Sequence, residues 1–320
     1  MIYIILFLLS FLLIWFIKDY ARKKAIIAQV NERSSHTVPT PQGGGIAIAI
    51  TWFIGLFYLY FTSKINLKLF YALLFGIILS IVSFWDDIYD LNPQSRLFVQ
   101  ALVSLGGLYC LDGFNEVTFG IFDIQNPIFT NTFAFFMIIW FINLYNFLDG
   151  INGYAGSEAV FLAISGFILF GGNYFLVLIA AVMGFLYWNW NKAKIFMGDV
   201  GSTLLGYNVA IFTIYYSNLD PINLWRWIIL FGVFWFDATV TLIRRMLNGE
   251  KLFQAHKKHA YQRLTQAGWS HLKVTICSIV LNLVLFTIVY LIPNIFLAFI
   301  LALMILFLCM KFVDNKKKFE

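Results

Sequence analysis

Long apolar runs separated by short polar segments make up the whole chain, and the runs have the length of membrane spans. A helix crossing a hydrocarbon layer of about 30 Å needs about 20 residues. Eleven stretches approach that length, at 2–17, 43–62, 67–85, 97–111, 128–148, 157–171, 174–190, 201–217, 223–243, 273–292 and 294–312. Gly171-Gly172-Asn173 and Pro293-Asn294 supply tight turns between neighbouring runs. The pattern predicts an all-α polytopic integral membrane protein of about 11 transmembrane helices, forming one domain over 1–320 with no internal repeat. The first run, Ile2 to Ile17, has no basic leader and no small-residue cleavage site and ends in KDYARKK, which predicts a retained span rather than a secretory leader.

Composition agrees: 61% of the residues are hydrophobic and 12% charged, with a mean hydropathy of +0.81, where soluble domains carry about 25% charge. The net charge of +6 is informative through its placement. With the N-terminus outside, 19 of the 22 basic residues fall on one side of the membrane and only Lys64, Lys68 and Arg226 on the other. Lys and Arg concentrate in cytoplasmic loops, so the expectation is an external N-terminus and a cytoplasmic C-terminus. Charge placed this way serves a lipid bilayer and anionic ligands at its surface, not nucleic acid. Asp112, Glu116, Asp123 and Asp220 read as solvated external linker. Cys110, Cys277 and Cys309 lie in apolar runs without metal spacing and read as small hydrophobes. Trp188 and Trp190 read as lipid-facing or interfacial.

The unusual polar clusters all fall on the basic side, in loops near 18–45, 86–96, 149–156, 191–202 and 244–272. They are PTPQGGG, WDDIYDLNPQSR, NLYNFLDGINGYAG, KAKIFMGDVGS and RRMLNGEKLFQAHKKHAYQR. Asp86 and Asp87 close the third run, where adjacent like charges need a cation or donors and where the helix dipole disfavours acids. Asp149 and Asp199 each sit between or beside glycines, which let backbone approach a ligand, and the Gly-Ser pair after Asp199 opens a helix N-terminus suited to anions. Carboxylates converging on one face suit a hard divalent cation that bridges phosphate oxygens, Mg²⁺ first and Mn²⁺ second. His36, His256, His259 and His271 are too scattered for a zinc site. A helical turn through HKKH would put His256 and His259 on one face beside Lys257, Lys258 and Arg263, a phosphate-binding set. Carboxylates, a cation and a basic loop together describe phosphoryl transfer.

In these motifs, in their order and on this face, the chain resembles the polyprenyl-phosphate N-acetylhexosamine-1-phosphate transferases of glycosyltransferase family 4. The NERSSH lead-in and HKKHAYQRL look most like the O-antigen-initiating branch rather than the peptidoglycan branch. The resemblance implies transfer of a sugar 1-phosphate from a UDP-N-acetyl-sugar to undecaprenyl phosphate in a bacterial inner membrane, releasing UMP. It implies Asp199 as the principal Mg²⁺ ligand, assisted by Asp87, with Asp86 next to the lipid phosphate as base or positioning group. Asn143, Asn146, Asp149 and Asn152 would line the nucleotide and metal pocket, with Gly44 as a backbone wall. His256 and His259, with Lys257 and Arg263, would contact the diphosphate or lipid phosphate, and a homodimer follows by family analogy. Two positions depart from the family pattern: Asn152 stands where relatives carry Asp, and Gln42 where Met or a basic residue is expected.

Two other classes compete. Intramembrane acids such as Glu158 and Asp237 would suit a secondary transporter, but the chain lacks repeat symmetry and its other acids cluster on one face. A CDP-alcohol phosphotransferase would also use Asp and Mg²⁺, but its dense run of acids on adjacent helical turns is absent.

Overall fold

The computed structural model describes residues 1–23, 27–28, 40–89, 91–252, 254 and 256–319. NERSSH, with His36 and Arg33, and also Lys24 and Pro39, lie outside the described residues. The described chain is an all-helical membrane protein of thirteen helices: α1 (Ile2–Lys23), α2 (Gly44–Phe61), α3 (Leu67–Tyr89), α4 (Pro93–Cys110), α5 (Pro127–Phe147), α6 (Tyr154–Phe170), α7 (Asn173–Asn189), α8 (Asp199–Leu219), α9 (Asn223–Leu230), α10 (Gly232–Leu247), α11 (Ala260–Gln266), α12 (His271–Leu291) and α13 (Ile295–Lys316). Two short antiparallel pairs join them, β1 (Ile27–Ala28) with β2 (Thr40–Pro41) and β3 (Val117–Thr118) with β4 (Asp123–Ile124).

Six helices, α1, α2, α3, α5, α12 and α13, are long and apolar enough to cross a membrane. The run at 223–243 breaks after Leu230 into α9 and α10, which meet at 76° and together make a seventh. Local sequence fixes where several helices start. Asn92 and Asn126 cap α4 and α5, each followed by Pro at the first helical position, and Asn294 caps α13 by accepting from the amides of Phe296 and Leu297.

The eighth helix is the axis of the bundle. Nearly every side chain from Val200 to Ser217 is buried, including Ser202, Asn208, Thr213 and Ser217. It is less apolar than its neighbours because protein rather than lipid surrounds it. Glycine permits the close approach: a Cβ on Gly206 would fall 2.4 Å from the Phe141 carbonyl oxygen of α5, and one on Gly45 of α2 2.2 Å from the Gly201 amide. Trp188 is buried rather than interfacial. Its indole donates to the Phe11 carbonyl at 3.2 Å, and the ammonium groups of Lys18 and Lys194 stand 4.3 and 5.3 Å from the ring centre.

Side-chain contacts gather the loops into two groups. At one end Lys68 pairs with Asp112, Arg226 with Asp220, and Trp225 donates to the Thr118 carbonyl at 2.7 Å. The other end gathers the C-termini of α3 and α5 and the N-termini of α2 and α8. Gly206→Ala is expected to lower stability by about 1–3 kcal/mol through overpacking of α8 on α5. Thermal unfolding of the detergent-solubilised protein checks this, and a midpoint equal to that of the wild type would contradict it.

Candidate active site

At that second end, the 41–45 segment lies beside 196–197. The Phe196 amide donates to Pro41 at 2.8 Å, the Gly44 amide to Phe196 at 2.9 Å and the Gly45 amide to Met197 at 2.8 Å. The segments 40–45 and 195–199 therefore enter the bundle as one unit. Gln42 Nε2 reaches across to donate to Asp87 Oδ1 at 2.8 Å, and the Asp199 amide, at the start of α8, donates to the same oxygen at 3.1 Å. Asp199 Oδ1 in turn accepts from Asn146 Nδ2 at 2.9 Å, which also reaches Ser202 Oγ at 3.0 Å. Three of the expected residues, Asp87, Asn146 and Asp199, thus share one hydrogen-bond chain with Gln42.

Asp86 is buried beside this chain, its Oδ1 accepting from the Leu91 amide at 2.8 Å and its Oδ2 from Arg96 Nη1 at 2.9 Å. The same Arg96 nitrogen stands 3.8 Å from Asp199 Oδ2. Sequence reading counted Arg96 only as an inside charge. The signal it passed over is Asn92-Pro93, a helix start that folds α4 back along α3 and returns Arg96 to Asp86. Asn143 turns to Gln100, donating to its Oε1 at 2.7 Å, so it lines the α4–α5 interface behind the cluster.

The LDG turn completes one wall. Asp149 is half-buried, and withdrawal from water, then the charges of Asp199 and Asp87, push its carboxyl well above the usual carboxylate range. The Gly153 amide is held by Asn189 Oδ1 at 2.7 Å, and the Asn152 carbonyl by the Thr275 hydroxyl at 3.1 Å. Gly150 leaves room for Tyr261, whose hydroxyl donates to the Phe147 carbonyl at 3.1 Å. This contact brings α11 against the LDG turn, with the His259 and Phe147 rings stacked at 6.2 Å.

HKKH is not a helical turn. Its backbone is irregular up to His259, which caps α11, and the Lys258 amide donates to His256 Nδ1 at 3.2 Å. The two imidazoles still meet, with centres 4.8 Å apart. Arg263 is not brought to the site: it is buried and committed to Asp314 Oδ1 at 2.7 Å and the Lys317 carbonyl at 3.0 Å. Lys258 pairs with Glu250 at 2.8 Å, which holds the Glu250 carboxyl below its usual range. Lys257 keeps its side chain half-exposed, while its carbonyl accepts from Gln266 at 2.7 Å.

Among the described residues no three His, Cys, Asp or Glu side chains form a ready-made metal cluster. Asp87 Oδ2 is nonetheless buried and accepts no hydrogen bond among the described residues. An acceptor left over in this way, facing a second carboxylate, fits a cation that takes one or two protein ligands and the rest from phosphate and water, as Mg²⁺ does. Glu158 and Asp237 are both engaged inside the protein, Glu158 by Asn282 at 2.6 Å and Asp237 by the Ala260 amide at 2.8 Å.

Removal from water, then His259 and Arg245, push the His256 imidazole down to about 4. In the unfolded chain it titrates near 6.5. Between those values the unfolded chain binds the extra proton, so stability falls as the pH drops from about 6.5 towards about 4. His256→Asn is expected to reduce the loss of melting temperature between about pH 7 and about pH 5. An equal loss in variant and wild type would contradict it.

The family model of glycosyl transferase family 4 matches residues 69–217, which include Asp86, Asp87, Asn146, Asp149 and Asp199. The chain is similar to a Bacillus subtilis protein described as "Probable undecaprenyl-phosphate N-acetylglucosaminyl 1-phosphate transferase", 28% identical over 84% of this chain and 78% of the other. It is equally similar, at 28% over 84% and 77%, to an undecaprenyl-phosphate alpha-N-acetylglucosaminyl 1-phosphate transferase of Yersinia pestis. A phospho-N-acetylmuramoyl-pentapeptide-transferase of Streptococcus pneumoniae matches at 27% over 81% and 87%.

Proposed function

We propose that the chain is a member of glycosyl transferase family 4, the family whose model it matches over residues 69–217, and that it transfers an N-acetylhexosamine 1-phosphate from a UDP-sugar to undecaprenyl phosphate. The products are undecaprenyl-diphosphate-sugar and UMP. The observation that carries this reading is the chain of contacts joining Gln42, Asp87, Asp199 and Asn146 at one end of the bundle, with His259 and the LDG turn beside it.

In the reaction, a lipid phosphate oxygen attacks the sugar-bearing phosphorus of the donor, and the bond from that phosphorus to the UMP oxygen breaks. The lipid phosphate is largely ionised near neutral pH, so a single displacement needs no strong base. Asp87 and Asp199 would hold Mg²⁺, or Mn²⁺ in its place. The chemistry such an ion supplies is neutralisation of charge on the diphosphate and on the departing UMP. Asn146 and Gln42 orient the two carboxylates. Arg96, tied to Asp86, brings cationic charge to the same rim, which lowers the repulsion between two anionic substrates. Neutral His256 contacts an anion through N–H donation rather than through charge. Asn152 offers an amide and adds no carboxylate.

The acceptor's tail would lie against the outer face of α5. A groove of about 1000 Å³ lies between α5 and the bent α9–α10 pair, lined by Phe129, Phe133, Phe136, Trp140, Ile228 and Trp235 among others. Trp140 donates to Thr239 at 3.1 Å at the end of the groove nearest Asn143. An apolar groove that stops near Trp140, about two helical turns before Asn146 of the polar cluster, suits a polyprenyl chain whose phosphate reaches that cluster.

The finer topology belongs to the same proposal: eleven spans, N-terminus outside, and an active site on the cytoplasmic face of a bacterial inner membrane, in one transferase domain that pairs as a homodimer. Charge placement supports that orientation. UDP-N-acetylglucosamine is the general donor to test first, and a 6-deoxy N-acetylhexosamine suits the O-antigen-initiating branch.

Membranes containing the protein, given undecaprenyl phosphate, Mg²⁺ and a panel of UDP-N-acetyl-sugars, are expected to release UMP. Asp199→Asn should cut the rate at least about a hundredfold. No release with any donor, or full activity in that variant, would overturn the reading. Trp140→Ala should raise KM several-fold for undecaprenyl phosphate and leave KM for a short-chain prenyl phosphate unchanged, and an equal rise for both acceptors would remove the groove from the account.

A further inference from the structure

Asp237 is a carboxylate on a helix of the bundle whose neighbours in sequence are apolar, and it is 4% exposed. Its Oδ1 accepts from the Ala260 amide at 2.8 Å and from the Thr241 hydroxyl at 3.1 Å. The same oxygen stands 3.6 Å from His259 Nδ1. His259 is also 4% exposed, and its ring is flanked by Phe147 at 6.2 Å and, nearly parallel, by Tyr261 at 6.0 Å. Neither Asp237 Oδ2 nor His259 Nδ1 has a hydrogen-bond partner among the described residues.

A cap for the α11 amide alone requires only a neutral acceptor, and an ionised carboxylate inside the bundle is a costly way to supply one. The cost is offset when the carboxylate faces a second donor. His259 Nδ1 is the nearest nitrogen that could supply that donor: at 3.6 Å it is beyond hydrogen-bond range in this structure, and a proton on it lets it close on an oxygen that already accepts from Ala260 and Thr241. Gaps of this size close in ligand-bound sites, where catalytic hydrogen bonds tighten. The stacked rings keep the imidazole in plane with few alternatives.

We propose that Asp237 is a positioning residue: it holds the Nδ1–H of His259 turned into the bundle, so that Nε2 faces the substrates and, once it carries the second proton, is the donor with which His259 meets a phosphate oxygen of either substrate. Contact between His259 and a substrate rests on the transferase reading given above. The orientation of the ring does not, and it can be read without turnover.

The test uses the full chain in nanodiscs with ¹⁵N-labelled histidine, and His259→Gln assigns the His259 signals. Without substrates, the wild-type ring is expected to show a protonated Nδ1. Asp237→Asn keeps an oxygen for the Ala260 amide but adds a donor beside the ring, so the Nδ1 proton signature should be lost or averaged with the Nε2–H form. In that variant kcat for UMP release should fall about ten- to a hundredfold with little change in KM for the UDP-sugar, the usual scale for a group that orients a functional histidine. Asp237→Glu, which keeps the charge, should retain the Nδ1 signature and recover most of kcat. An unchanged His259 signature in Asp237→Asn overturns the proposal whatever the activity. A changed signature with unchanged kcat upholds the orientation and overturns the role given to His259 in the reaction. Should Asp237→Asn not fold, the Asp237→Glu spectrum decides, since loss of the Nδ1 proton there contradicts the proposal.

Discussion

The Asp87 carboxylate is reached by the Gln42 side chain at the mouth of α2 and by the first amide of α8. Acids at the rim of a hydrocarbon-embedded bundle are costly unless donors meet them, so α3 can end in Asp86-Asp87 only if other segments arrive there. Their arrival needs backbone to touch backbone. Gly45 and Gly201 permit that, and the paired strands of chain at 41–45 and 196–197 lock it. The position of α8 inside the bundle, and with it that of Asn146 on α5, follows from this one meeting point.

Much of the helix placement could be read from sequence because an apolar run is a blunt signal: ten of the eleven runs correspond to one helix each, although only six helices, or seven with the bent pair, are long and apolar enough to cross a membrane. The bend after Leu230 could not, since it lies in an apolar stretch without proline whose one mark is Gly232, a residue that helices of membrane proteins also carry unbent. The bend comes from packing, with Phe231 buried against Phe141 and Tyr145. The seven residues of α11 escaped notice because a short helix in a basic loop shows no apolar period. Its start is set both from afar, by Asp237 accepting from the Ala260 amide, and locally, by Gln262 Oε1 accepting from the His259 amide at 3.3 Å.

The carboxylates and glycine turns of the site were legible for a chemical reason, because such residues are expensive in this setting. Their partners were not, because partnership depends on how helices register. Arg96 finds Asp86 only through the α3–α4 turn, and Gln100 finds Asn143 across two helices. Basic residues misled in the opposite direction. Arg245 is used up by Glu250 and the carbonyls of Lys251, Leu252 and Gln254, while Arg244 and Arg263 share Asp314. The loop that looked like a phosphate clamp is thus mostly neutralised within the protein. Among the described residues that leaves Arg96 as the arginine at the carboxylates, with the two histidine rings beside Phe147 and the LDG turn.

The groove beside α5 has a further meaning for how substrates arrive. Its walls include Ile128, Phe129 and Phe136, which are exposed on the outer surface of the bundle, so it opens sideways rather than towards water. A polyprenyl chain entering there stays dissolved in the bilayer throughout. On the proposed reading the acceptor finds the protein by diffusion in two dimensions, while a water-soluble donor approaches in three, and the two routes cross at the rim where α5 ends. The lipid product can leave by the same sidestep, with no part of its tail ever desorbing from the membrane.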